Sequence, residues 1–187
     1  MESKVLEHLL VESRDTKKII GIRKSNDILY VGYIVDFNDL LVEMQQVTKY
    51  GREDGLIIIK IANVETFETD DEYLKSYQFL FQNYTKIKKQ TVMAVPITES
   101  ENWQYETLLN LMHEQKLVTI EVNNDGLFFH GYISDLDDTH LSFNAVSHIG
   151  RDEGFVVYKL EDISSLSVDE LESRKRQAFY DWRKEEN

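Results

Sequence analysis

Gly32-Tyr33-Ile34-Val35-Asp36-Phe37-Asn38-Asp39 returns 99 residues later as Gly131-Tyr132-Ile133-Ser134-Asp135-Leu136-Asp137-Asp138. The match runs without a gap from residues 28–67 onto residues 127–166, and ten of the forty aligned pairs are identical. Most of the others are conservative, as in Leu56/Phe155, Ile57/Val156 and Val64/Ile163. A duplication sets domain number, boundaries and fold class together, because each copy must solve the same packing problem. We place a first domain over residues 1–90, a linker over 91–100 and a second domain over 101–187. Each domain is large enough to build its own core.

Working outward, each copy opens with a short amphipathic helix. Val5, Leu6, Leu9 and Leu10 recur at helical spacing, as do Leu108, Leu109, Leu111 and Met112. First strands follow near Lys18–Arg23 and Leu117–Val122, and Ile20 and Ile22 match Val118 and Ile120 only with a one-residue slip. Ser25-Asn26-Asp27 and Asn123-Asn124-Asp125-Gly126 are hairpin turns, since these residues tolerate positive φ. The second strands carry Gly32 and Gly131 mid-strand, the mark of a bend or a close backbone approach. Third strands lie near residues 40–47 and 140–146, and apolar fourth strands at 56–61 and 155–160. Short fifth strands occupy 64–67 and 163–166. Thr69-Asp70-Asp71-Glu72 and Ser167-Val168-Asp169-Glu170 then start C-terminal helices with acid in the first turn. Pro96 stops any helix between the copies, and Thr91–Val95 is an extended linker or an extra edge strand. The expected fold is mainly β with flanking helices: two tandem five-stranded, strongly bent antiparallel barrels, each with an N-terminal and a C-terminal helix.

Charge narrows the partners. The chain has a net charge of −13, divided into −3 over residues 1–99 and −10 over residues 100–187. A polyanion such as RNA meets a repulsive mean field here. There are no cysteines, which removes disulfides and thiolate metal sites and fits a reducing compartment. No apolar run approaches membrane-spanning length, and the acidic start Met1-Glu2-Ser3-Lys4 is unlike a signal peptide. The expectation is a cytoplasmic protein with no membrane contact and no cofactor.

The strand order and the run Gly32-Tyr33-Ile34-Val35-Asp36-Phe37 resemble the Sm and Sm-like family. That family's first motif joins a glycine-centred apolar strand, a turn aspartate and a third apolar strand. Its second spans strands four and five, matched by residues 56–67. The Gly51-Arg52-Glu53-Asp54-Gly55 loop looks closest to bacterial Sm-like domains with Gly-x-x-Asp-Gly before strand four; Gly150-Arg151-Asp152-Glu153-Gly154 departs in the order of its acids. The resemblance implies ring-forming sheet edges and, in many members, binding of single-stranded uridine-rich RNA. The base-reading asparagine of that family would fall at Leu40 and Thr139, and its basic step before strand five near Ala62-Asn63 and Glu161-Asp162. Neither is present, and leucine offers a base edge no donor or acceptor.

The remaining candidates are few. The two Gly-Arg-acid-acid-Gly loops are candidate interaction loops, with Arg52 and Arg151 able to grip a carboxylate or phosphate. We read them first as tight turns, and two adjacent carboxylates alone make a poor calcium site. Tyr33 and Tyr132 are candidate stacking residues, with packing against a helix as the simpler role. His8, His113, His130, His140 and His148 show no metal-ligand spacing, so no metal site is assigned. Arg174-Lys175-Arg176 and Lys86-Ile87-Lys88-Lys89 read as solvated helix ends. No phosphate loop, nucleophile elbow or paired acid and base appears. The functional expectation is a non-catalytic interaction or assembly module whose partner is a protein or another copy of itself. The alternative is RNA binding in the Sm-like manner.

Overall fold

Two glycines decide how tightly each copy can fold back on itself. In this computed structural model, which describes residues 3–89 and 103–186, a Cβ on Gly32 would lie 1.9 Å from the Gln45 carbonyl oxygen. A Cβ on Gly131 would lie 2.1 Å from the Asn144 carbonyl oxygen. No side chain fits at either place, so a neighbouring strand can press directly on the glycine backbone.

Around these points the chain runs twice through one element order. The first copy has α1 (Lys4–Thr16), β1 (Ile20–Lys24), β2 (Leu29–Phe37), β3 (Leu41–Val47), β4 (Glu53–Lys60), a 3-10 turn (Ile61–Asn63), β5 (Val64–Glu68) and α2 (Glu72–Ile87). The second has α3 (Trp103–His113), β6 (Val118–Val122), β7 (Leu127–Leu136), β8 (His140–Val146), β9 (Asp152–Lys159), a 3-10 turn (Leu160–Asp162), β10 (Ile163–Val168) and α4 (Leu171–Glu186). The expected linker at 91–100, with Pro96 and the Thr91–Val95 segment, lies outside the described residues. The chain divides into two compact units after Tyr84, so the last turn of α2 belongs to the second.

Each unit is a mixed α+β fold around one antiparallel sheet, with strand orders β4-β3-β2-β1-β5 and β10-β6-β7-β8-β9. Ile20 pairs with Gly32 and Val118 with Gly131, which places the one-residue slip between the copies inside the first hairpin. Both copies carry a bulge at the same point of the second strand, between Ile34 and Asp36 and between Ile133 and Asp135. In the first unit the Ile34 N–H donates to the buried Ser13 hydroxyl (3.0 Å), which donates to the Lys18 carbonyl (2.7 Å). The bulge thereby ties β2 to α1 and gives the Ile34 N–H a buried partner.

The expectation of two closed barrels is overturned. Among the described residues β4 pairs only with β3, β5 only with β1, β9 only with β8 and β10 only with β6. Both sheets stay open. Helices cover the apolar faces that the opposite wall of a barrel would otherwise cover. In the first unit Leu6, Leu9 and Leu10 of α1 pack on Ile20, Ile22, Ile34, Val42, Met44 and Ile59. On the other face Leu74, Tyr77 and Phe81 of α2 pack with Ile19, Val31, Tyr33 and Val47. In the second unit Leu108 and Leu111 of α3 join Val118, Ile120, Ile133, Leu141 and Phe143.

Placing a methyl group on Gly32 or Gly131 should cost about 2 kcal/mol or more in urea denaturation, because backbone rather than a flexible side chain must give way. Gly126→Asn, in open space at φ 77, should cost under about 1 kcal/mol. Equal losses at the two kinds of site would show that close approach is not what the strand glycines provide.

Candidate functional site

The Gly-Arg-acid-acid-Gly segments are two local structures in sequence. Residues 48–52 form the turn. The Thr48 N–H donates to the Arg52 carbonyl (2.8 Å), the Gly51 N–H to the Thr48 carbonyl (2.8 Å), and the Arg52 N–H to the Thr48 hydroxyl (3.2 Å). Ser147 repeats this, receiving the Arg151 N–H on its hydroxyl at 2.9 Å. Gly51 sits at φ 80 with the Leu80 carbonyl where its Cβ would be, and Gly150 at φ 74 against Phe179 and Tyr180. The loop thus lies on the backbone of the C-terminal helix, and glycine is needed for both contact and conformation. The acids and second glycines begin β4 and β9 instead. Gly55 and Gly154 lie where the ladder with the third strand shifts register, so they serve a bulge.

The polar side chains of these segments have mostly local roles. Glu53 accepts from the Tyr33 hydroxyl (2.7 Å) with Lys17 3.8 Å away, while Lys17 lies over the Tyr33 ring at 4.8 Å. Asp152 accepts from the Gly154 N–H (2.8 Å) and the Asn144 amide (3.3 Å). Arg52, Asp54, Arg151 and Glu153 are exposed. Tyr33 is buried against Phe81 with ring centres 5.6 Å apart, and burial with the Glu53 bond pushes its phenol up. Tyr132 packs on Tyr180 at 5.0 Å, and burial pushes its phenol up too. Both candidate stacking residues therefore have a ring face spent on a helix.

The second unit departs from the first beneath its C-terminal helix. Where Gly21 and Val31 pair in the first unit, Thr119 and His130 pair in the second. The His130 Nδ1 shares a hydrogen bond with the Thr119 hydroxyl (2.9 Å), which contacts the buried Ser173 hydroxyl of α4 (3.1 Å). Burial pushes the imidazole below its ordinary range, and the Arg176 charge adds to this. The basic run expected to face solvent is largely buried. Arg174 donates to the Ile87 carbonyl (2.6 Å) and the Lys88 carbonyl (3.4 Å), capping the end of α2. Lys175 pairs with Glu172 at 2.8 Å, and Arg176 donates to the Val146 carbonyl at 2.9 Å. Arg183 holds the Ile149 carbonyl at 2.8 Å. A cleft of about 400 Å³ includes Lys86, Lys116, Asp169, Arg174 and Asp181, so it is lined by both acids and bases. Among the described residues no group of acids and histidines is placed to hold a metal ion, and no helix is long and apolar enough to cross a membrane.

The surface feature common to both copies is an edge. Leu56 and Ile58 of β4 are 56% and 63% exposed, and Phe155 and Val157 of β9 are 69% and 64% exposed. The registers Tyr33–Gln45–Leu56 and Tyr132–Asn144–Phe155 place them on the face of the C-terminal helix. The helix covers the tyrosines and leaves the edge strand bare. The sequence marks 56–61 and 155–160 only as apolar strands; the clue to exposure is Lys60 and Lys159, each in phase with the exposed positions.

Compared with known families, with curated proteins and with solved structures, the chain matches none.

Two measurements follow. Arg174→Ala leaves two helix-end carbonyls without their charged donor and should destabilise the second unit by about 1.5–3 kcal/mol, whereas exposed Arg52→Ala should stay within about 0.5 kcal/mol in the same denaturation assay. The neutral imidazole of His130 is favoured by the fold, so its folded pKa lies below the unfolded value. Stability from this group is full above the unfolded value of about 6.5 and falls as the pH drops through it. His130→Gln should flatten the stability profile below about pH 6.5; an unchanged slope would place the titration elsewhere.

Proposed function

We propose that this chain is a non-catalytic protein-interaction or assembly module acting through the outer edges of β4 and β9. One observation carries the reading: the two edges of each sheet are treated oppositely. β5 is five residues long with Glu65, Thr66 and Glu68, and β10 is rich in serine. Short, polar edges are how sheets avoid unwanted pairing. β4 and β9 are eight residues long and carry exposed Leu56, Ile58, Phe155 and Val157. An apolar edge with an unpaired ladder suits strand addition, in which main-chain bonds give affinity and side chains give selectivity. Kinship with Sm-like proteins belongs to this proposal. It is supported by the fall of that family's two motifs on β2–β3 and β4–β5 and their counterparts. The acidity of the chain and Leu40 at the base-reading position favour a protein partner over RNA.

The test uses the full chain and a variant in which Ile58→Lys and Val157→Lys put charge on both edges. Sedimentation velocity reads self-association, and fluorescence polarisation reads binding of a labelled peptide spanning residues 53–60. Wild type is expected to associate or bind the peptide, and the variant to do neither while keeping its circular dichroism spectrum. A wild-type chain that does neither at its highest soluble concentration overturns the proposal.

A further inference from the structure

We infer that the partner at each of these edges is the same edge of a second copy of this chain, paired antiparallel. The inference rests on the edge-docking function just proposed and names its occupant. β4 reads Glu53-Asp54-Gly55-Leu56-Ile57-Ile58-Ile59-Lys60, acidic at its start and basic at its end. β9 reads Asp152-Glu153-Gly154-Phe155-Val156-Val157-Tyr158-Lys159, with the same polarity. When two copies of β4 run antiparallel about Ile57, Leu56 of each meets Ile58 of the other, and Asp54 of each meets Lys60 of the other. When two copies of β9 run antiparallel about Val156, Phe155 meets Val157 and Glu153 meets Lys159. Within each pairing the apolar contact and the charge contact are each satisfied twice by that pair's own two-fold operation, as an isologous interface requires.

Antiparallel β4 on β9 of another copy would match the same signs, but it is heterologous and leaves an open edge on each chain, whereas like-on-like pairing closes on itself. Parallel pairing and the opposite edges lack the match. Parallel pairing sets acid on acid and lysine on lysine, which opposes association. β5 carries Glu65 and Glu68 with no basic residue, and β10 carries no charge, so neither can answer both ends of β4 or β9. Asp54 and Lys60 are exposed, and Lys159 has an exposed contact with Glu161 at 3.4 Å, which it can exchange for a partner's acid. An eight-residue strand pair is a small interface, so each contact is expected to be weak and dependent on concentration.

The experiment is sedimentation equilibrium of the full chain carrying Val157→Lys, which blocks β9 and leaves β4 to report. This protein is expected to form dimers and nothing larger. Adding Lys60→Glu turns two attractions into two repulsions and should weaken the dimer about tenfold. Adding Asp54→Lys to that variant restores opposite charges across the two-fold and should return affinity to near that of Val157→Lys alone. A monomeric Val157→Lys protein, or charge reversal without effect, or no rescue by the exchanged pair, each overturns self-pairing in this register. The edge-docking function fails separately, through loss of both association and peptide binding in wild type.

Discussion

Everything in either unit depends on a missing methyl group. The Gln45 carbonyl occupies the space beside Gly32 that a Cβ would need, and the Asn144 carbonyl does the same at Gly131. Because β3 and β8 come that close, the second strand can sit between two neighbours and present one face to each helix. Ile34 then reaches the cluster under α1 while Tyr33 reaches the cluster under α2. The alternation of a strand, normally a division between core and solvent, here divides two cores. The turns, caps and bulges elaborate this division without setting it.

The copies share that frame and differ in what the C-terminal helix rests on. In the first unit α2 covers an apolar patch of Val31, Tyr33 and Val47. In the second, α4 covers His130 and Thr119 and meets Thr119 through its own Ser173, with Arg174, Lys175 and Arg176 folded inward beside Glu172. A buried polar layer holds only when each member has a partner, so it is less tolerant of substitution than a greasy one. This also explains where the second copy puts its few basic residues. It holds eight Lys and Arg against eighteen Asp and Glu. Five of the eight are Arg174, Lys175, Arg176, Arg183 and Lys184 on one helix, and three of those serve backbone carbonyls. The solvent-facing charge of this copy is thereby more acidic than composition alone conveys.

Local signals were legible where the physics is local. Glycines mid-strand, Asn/Asp turns and alternating apolar positions placed the strands, and the slip in the first hairpin followed from matching Ile20 to Val118. Closure was not legible, because whether β4 meets β5 depends on how helices fill the two faces, and no residue in either strand encodes that alone. The boundary of β4 was misplaced for a related reason. Glu53, Asp54 and Gly55 have turn-like composition, yet the ladder with β3 extends through them by spending Gly55 on a bulge. Burial of Arg174-Lys175-Arg176 was hidden as well, since a run of cations normally faces water and its partners are main-chain oxygens that leave no mark on sequence. At the candidate site the loops were visible and were mainly structural. The exposed edge was visible only as an apolar run.

The polarity of the edge strands has one more consequence. A bare apolar strand is the kind of segment that seeds cross-β fibrils, which grow by stacking identical strands in parallel register. Stacked that way, each Asp54 would sit on Asp54 and each Lys60 on Lys60, rung after rung, and β9 would fare the same. Repulsion then accumulates with every added chain, whereas a single antiparallel pair satisfies itself and stops. The charges at the two ends of each edge therefore act as a brake on fibril growth that leaves finite assembly open.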